Sequence, residues 1–140
     1  MPGIEARPAG RRHYWIKLIA GAVAAEIIAI LLLVCLVAVF GPNDASSAQA
    51  YAEKLGRWVG PLAGGLLGFL GARWIARPLA ANRVVYGSLF GVVMALIDVG
   101  LLLALHAPFE WILVISNAGK IIAATGGGRC ANLVRPPTEF

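Results

Sequence analysis

The chain has 140 residues, of which 59% are hydrophobic and 14% charged, with a formal net charge of +5 and a mean hydropathy of +0.79. Soluble domains have about 45–50% apolar and about 25% charged residues, because a small globule must cover a large surface with polar groups. This composition excludes a disordered chain, a soluble enzyme and, despite the positive charge, a nucleic-acid-binding module. The sequence predicts an all-α integral membrane protein, a four-helix bundle that forms a single transmembrane domain over residues 1–140.

Four apolar stretches follow one another along the chain, and a helix needs about 20 apolar residues to cross the bilayer. The first stretch is longer than that, the second is shorter and rich in glycine, and the third has ordinary length. The fourth begins at Pro108, because a first helical turn tolerates proline, and the glycines at 126–128 predict its end. The predicted spans are residues 14–40, 57–75, 84–105 and 108–125, and the cytoplasmic tails are residues 1–13 and 126–140.

Short polar segments separate the predicted spans. Residues 41–44 form a turn cluster after the first span, and the break between the third and fourth spans is little more than His106 and Ala107. So short a break predicts a tight antiparallel hairpin. Residues 46–54 predict a short helix that either lies on the membrane or lengthens the second span, with Ser46 or Ser47 as its N-cap.

Basic residues fall mainly on one side of the predicted membrane. Because cytoplasmic loops retain Lys and Arg during insertion, we expect both termini in the cytoplasm and a multi-pass protein of the bacterial inner membrane. We also expect this basic side to contact anionic lipid headgroups. The opposite side carries only Lys54 and Arg57. The residues of the basic side are Arg7, Arg11, Arg12, Lys17, Arg73, Arg77, Arg83, Arg129 and Arg135.

An alternative interpretation of the first stretch is a cleaved signal peptide, since Ala48 and Ala50 form an A-x-A pattern after an apolar run. The apolar core of a signal peptide has about 7–15 residues, whereas this run is far longer and contains Glu26. We therefore predict a membrane span. The two cysteines, Cys35 and Cys130, fall at different depths in this topology and are too far apart to form a disulfide.

Small residues recur at helical spacing in the second and third spans. They allow two backbones to approach closely in lipid, where the hydrophobic effect does little to bring helices together. We expect them to pack the second span against the third, and the alternative is a seam between two copies of the chain. The positions are Gly60, Gly64, Gly68, Gly87, Gly91 and Ala95.

Three ionisable residues, Glu26, Asp98 and Lys120, lie away from the ends of the spans. Each charge near the middle of the bilayer costs about 2.5–3.5 kcal/mol on insertion scales, so these groups need partners. Counted along the helices, Lys120 can reach the depth of Glu26, and Asn117 matches the depth of Asp98. The sequence predicts one intramembrane polar cluster of these four residues. The alternatives are that Lys120 extends to the inner headgroups and that the acids act only as fixed contacts between helices.

The sequence contains no HExxH, GxSxG or Walker motif and no cysteine and histidine pair at a common depth. We therefore expect no enzymatic activity, no catalytic residue, no metal site and no cofactor.

The segment AGAVAAEIIAI around Glu26 resembles the first span of small multidrug resistance transporters. These are four-helix antiporters in which a membrane-embedded glutamate exchanges protons for cationic drugs. The chain departs from them in two ways. The third span carries a second acid, Asp98, and the fourth span carries Lys120, a basic residue that opposes a cationic substrate. The segments GARWIARP and VVYGSLFGVV are similar to short four-span bacterial membrane proteins of unknown activity, which implies an architecture and no activity.

Two functions stay open from the sequence. We expect an accessory or scaffold protein without catalytic activity, held together by the polar cluster. The alternative is a proton-coupled small transporter or an ion-conducting oligomer that uses Glu26 or Asp98. Dry buried acids favour the first function, whereas a hydrated cavity that opens onto Glu26 favours the second.

Overall fold

A computed structural model describes residues 9–79, 81–106 and 108–131. They form four helices, α1 (Ala9–Phe40), α2 (Ala45–Ala76), α3 (Arg83–Ala104) and α4 (Trp111–Cys130). Within the described ranges, three helical segments are long and apolar enough to cross a membrane, namely His13–Phe40, α2 and α3. The predicted fourth span is not among them, because polar residues such as Asn117 and Lys120 interrupt its apolar sequence.

The helices alternate in direction along the bundle. Gly21 and Leu33 of α1 lie against Ile75 and Gly56 of α2, so these two helices are antiparallel. α4 packs most closely against α2 and α3, while α1 packs against the same two helices from the other side. α1 and α4 are therefore diagonal neighbours, and side chains that join them must cross the middle of the bundle.

The second helix begins earlier than the predicted span, because residues 46–54 continue it instead of lying apart as a surface helix. Its N-cap is Asp44, not Ser46 or Ser47 as predicted. The Asp44 carboxylate accepts hydrogen bonds from the Ser47 backbone N–H at 2.9 Å and from the Ser46 hydroxyl at 3.0 Å. A carboxylate in this position satisfies N–H groups that have no partner inside the helix.

Hydrogen bonds from Ser47, and then from Ser46, hold the pKa of Asp44 below its usual value. The cap therefore stabilises the fold above the pKa of Asp44 in the unfolded chain, about 3.9, and this contribution is lost as pH falls through the lower folded value. We expect Asp44→Ala to lower the thermal midpoint at neutral pH and to match the wild type in strong acid. Circular dichroism melts of detergent-solubilised protein check this expectation. Asp44→Asn, which caps without a charge, is the control and should melt like the wild type at neutral pH.

The fourth helix is shifted relative to the predicted span of 108–125. It begins at Trp111 and continues through all three glycines to Cys130, so the predicted glycine stop is wrong. Gly127 lies directly against the Phe69 carbonyl oxygen of α2, and a Cβ at Gly128 would lie 2.5 Å from the Arg83 carbonyl oxygen and 3.1 Å from the Gly87 Cα of α3. The described glycines have no positive φ angle, so these ones serve close helix packing and not helix termination.

The small-residue stripes of α2 and α3 do not pack against each other as predicted. Gly64 and Gly68 of α2 face Lys120 of α4, and on α3 a Cβ at Gly91 would lie 2.7 Å from the Ile121 Cα of α4. Both stripes therefore accommodate the fourth helix, which lies between them.

Two members of the predicted stripes take little part in this packing. Gly60 has no neighbouring heavy atom within 4 Å of an added Cβ, and Ala95 is only half-buried. The contact between α2 and α3 instead uses a large side chain, because the ring of Phe90 lies against Gly71.

The hydrophobic core fills the half of the bundle that contains the predicted cytoplasmic ends of the helices. Phe90 is fully buried there and its ring lies between Gly21 of α1 and Gly71 of α2. The Tyr14 hydroxyl closes the same end by donating a hydrogen bond to the Ile75 carbonyl oxygen at 2.8 Å. The core residues are Leu18, Ala22, Ala25, Ala72, Ile75, Phe90, Met94 and Ala124.

Candidate functional site

A buried ammonium group bridges two carboxylates from different helices. Lys120 Nζ of α4 donates to Glu26 Oε1 of α1 at 2.7 Å and to Asp98 Oδ2 of α3 at 2.6 Å. The three side chains are 4%, 7% and 15% exposed, respectively. Lys120 therefore points into the bundle and not toward the headgroups. We call these three residues the ion triad.

The fourth helix can present Lys120 to the other two residues because α2 has no side chain at the facing position. Gly64 lies directly against Lys120 Cε, and a methyl group there would overlap the lysine stem. The glycine therefore provides the space in which an otherwise long and flexible side chain extends across the bundle axis. Its neighbour Gly68 lies against the Lys120 backbone carbonyl.

The fourth residue of the predicted cluster, Asn117, does not join the ion triad. Its Oδ1 atom is buried and has no hydrogen-bond partner within the described part of the chain. The expected proximity of Asn117 to Asp98 therefore gives no hydrogen bond, and Asp98 bonds to Lys120 instead. Asn117 and Lys120 lie about one turn apart on the same side of α4, so their positions in the sequence alone do not decide which of them bonds to Asp98.

The ion triad forms the floor of a cavity of about 580 Å³. All four helices contribute to its wall, and the wall continues to the end of the bundle where residues 41–44 and the connection before α4 lie. Its opposite side is closed by the core around Phe90 and Met94. The cavity therefore does not continue past the ion triad into the half of the bundle that holds the core. The sequence could not indicate it, because its shape depends on the separation of four helices.

The mouth of the cavity carries a second group of charges. Arg57 of α2 and Glu110, just before α4, form an ion pair at 3.3 Å, and their side chains are 59% and 45% exposed. Glu53, one helical turn before Arg57, lines the same opening. The sequence predicts the outer side for Arg57 but does not pair it with Glu110, since 53 positions separate the two residues.

The charged groups of the cavity have an excess of acid. Glu26, Asp98, Glu53 and Glu110 line it together with two bases, so its formal charge is −2 when all six are ionised. The whole chain has a formal charge of +5. The cavity thus has the opposite sign from the protein, and this contrast favours positively charged solutes inside it.

Two further polar groups belong to residues that line the cavity. Pro61 lies inside α2 and lines the wall, and because proline has no N–H, the Arg57 carbonyl one turn earlier lacks its helical partner. Ser116 is buried and lines the wall from α4. The Arg57 carbonyl and the Ser116 hydroxyl therefore supply acceptor oxygens between the mouth and the floor.

Comparisons with known proteins give no family for this chain: no family model, no curated protein and no solved structure matches it. The described residues also contain no group of three or more His, Cys, Asp or Glu side chains placed to hold a metal ion. The chemistry of the site therefore has to be inferred from its own geometry.

Proposed function

We propose that this protein is a proton-coupled membrane transporter for a small cationic solute, with the ion triad as its proton-responsive element. The observation that carries the proposal is the cavity that leads from the end of the bundle to Glu26, Asp98 and Lys120. Ionisable residues within membrane spans are costly and often mark an ion or substrate pathway, and the cavity reaches all three residues of the triad. The volume of about 580 Å³ lies within the range of small-molecule sites, about 300–1,000 Å³.

The triad supports proton coupling by its composition. Lys120 opposes a cation on its own, but two carboxylates share its ammonium group, so the floor has one negative charge in excess when all three are ionised. A proton or a solute cation can neutralise that excess, and each disfavours the binding of the other. Competition of this kind is the physical basis of exchange between a proton and a cation.

Transport also requires that the closed half of the bundle open. Phe90 and Met94 block the path beyond the triad, and both are fully buried. Movement of the α3 segment that carries them would expose the triad to the other side of the membrane. We propose that this structure corresponds to a state open at the mouth and that a second state is open at the opposite end.

We expect a proton gradient to drive accumulation of an alkylammonium probe in liposomes that contain the protein. Glu26→Gln should reduce this uptake by about tenfold or more, because it removes a charge that holds the cation. A pH-sensitive dye inside the liposomes should report the opposing proton flow. The matched control is Asp44→Asn, which removes a charge outside the cavity. Equal uptake by wild type, Glu26→Gln and protein-free liposomes would refute transport of this probe class.

A second candidate function, an accessory or scaffold protein, is favoured by one observation. The triad joins α1, α3 and α4 by two short hydrogen bonds. These bonds can stabilise the bundle even if the helices never move. In that case Glu26→Gln lowers the thermal midpoint, and the wild type and the variant both show proton flow and probe uptake no greater than protein-free liposomes. Measuring stability and uptake on the same preparations therefore separates the two functions.

The membrane placement belongs to the same proposal. The basic residues of one end support a multi-pass protein of the bacterial inner membrane with both termini in the cytoplasm, so that the cavity opens to the outer side. They also support contact with anionic lipid headgroups at the inner face. Half-buried Gly65, which has open space beside it, would suit a helix contact in a homo-oligomer.

A further inference from the structure

We propose that the cavity binds a linear aliphatic diamine, a molecule in which two primary ammonium groups are joined by a hydrocarbon chain. This inference rests on the proposed function, since it uses the same cavity and specifies its solute. It is carried by the distribution of charge along the cavity, which has an acidic excess at both ends and an apolar wall between them.

Each end of the cavity has two acids and one base. At the floor, Glu26 and Asp98 flank Lys120, which leaves one negative charge in excess. The mouth repeats this ratio, because Glu53 and Glu110 accompany a single arginine. A molecule with one positive charge can compensate only one of these ends, whereas a molecule with two can compensate both.

The two ends are separated by a fixed distance along α2. Arg57 marks the mouth, and Gly64, seven residues later, touches Lys120 at the floor. At 1.5 Å per residue, the two levels are about 10 Å apart. The wall between them is aliphatic and offers a hydrocarbon chain apolar contact. The wall residues include Ile30, Leu33, Leu101, Leu102, Ile112 and Leu113.

The polar atoms of the cavity distinguish a primary ammonium group from a quaternary one. Lys120 bonds to Glu26 Oε1 and to Asp98 Oδ2, and the two carboxylates also lie close to each other, so several acceptor oxygens converge at the floor. The Arg57 carbonyl and the Ser116 hydroxyl add further acceptor oxygens. A primary ammonium group has three N–H donors for these oxygens, and a quaternary ammonium group has none.

Titration calorimetry with the full chain in lipid nanodiscs tests the proposal directly. The probes are diaminopropane, diaminooctane and diaminododecane, with octylamine, octamethonium and octanediol as controls. We expect diaminooctane to bind most tightly among the diamines, because its extended length is closest to the distance between the ends. Octylamine and octamethonium should bind about tenfold more weakly, since one lacks the second charge and the other lacks N–H donors. Octanediol should give no heat beyond that of empty nanodiscs.

Two variants assign the two ammonium sites. Glu53→Gln, which leaves the ion triad intact, should weaken diaminooctane binding by about two- to fivefold and leave octylamine binding unchanged. Glu26→Gln should weaken both ligands by about tenfold, because both place an ammonium group at the floor. Asp44→Asn, at the same end of the protein but outside the cavity, should bind all probes as the wild type does.

The inference is overturned if octylamine binds as tightly as diaminooctane, or if Glu53→Gln and Asp44→Asn weaken the diamine equally. If Glu26→Gln does not fold, the comparison of Glu53→Gln with Asp44→Asn decides alone, because neither touches the triad. Diamine binding without diamine-driven proton flow would support this inference and contradict the proposed transport. Proton-coupled uptake of other cations, with no diamine binding, would support the proposed transport and contradict this inference.

Discussion

Substitution of Lys120 by Met is expected to lower the free energy of unfolding by about 3–5 kcal/mol, one of the two largest effects predicted for this protein. The substitution keeps a long apolar stem but removes the ammonium group that bonds to Glu26 and Asp98. Two carboxylates, 7% and 15% exposed, would then face each other without a counter-charge. Unfolding in SDS, followed by far-ultraviolet circular dichroism on detergent-solubilised protein, measures the loss.

A triple variant separates the ion pairs from general packing. Glu26→Gln, Asp98→Asn and Lys120→Met together remove all three charges and keep nearly the same side-chain volumes. Removing a whole buried ion group costs much less than removing one partner, because no charge is left uncompensated. We therefore expect the triple variant to regain most of the stability that Lys120→Met loses. If the triple variant is as unstable as the single one, the carboxylates are not the cause of the loss.

Substitution of Gly127 by Ala is expected to cost about 1–3 kcal/mol, the second large effect. The glycine lies directly against the Phe69 carbonyl oxygen, so an added methyl group must push α4 away from α2. Backbone atoms cannot move aside as a flexible side chain can, and the helix contact is therefore lost over more than one turn. The same SDS titration measures the effect.

The matched control for Gly127→Ala is Gly119→Ala in the same helix. An added Cβ at Gly119 has no heavy atom within 4 Å, so only the intrinsic helix preference changes. Alanine is favoured over glycine inside a helix by about 0.5–1 kcal/mol, and Gly119→Ala should therefore stabilise the protein slightly. A similar loss at both positions would mean that the contact with Phe69 does not determine the effect.

Helix positions are the part of the fold that the sequence predicts well. The third predicted span, 84–105, agrees with Arg83–Ala104 to within one residue at each end. Apolar runs and turn residues are local features, so they locate a helix whatever its neighbours are. The fourth helix departs from its prediction because its glycines continue the helix instead of ending it. They are needed for close contacts with Phe69 and Gly87 on other helices, and the local sequence does not indicate which helices will be in contact.

The candidate site is predictable only in part. The cost of burying charge identified Glu26, Asp98 and Lys120 from the sequence, and these three meet in the structure. The same argument added Asn117 because its depth matches that of Asp98, but Lys120, one turn later on the same side of α4, bonds to Asp98 instead. The cavity and the ion pair at its mouth depend on how four helices are spaced, which the sequence of each helix alone does not determine.

Access of water to the ion triad is the central claim, and labelling of a single cysteine in the cavity wall tests it most directly. Leu102→Cys, introduced into a chain with Cys35→Ala and Cys130→Ala, places a thiol in the wall of the cavity. Leu96→Cys places one on the exposed, lipid-facing side of the same helix. A charged, membrane-impermeant thiol reagent is added to vesicles from the side of the mouth. We expect fast labelling at position 102 and none at position 96. Equal labelling at both positions, or no labelling at either, would contradict the access of water to the ion triad.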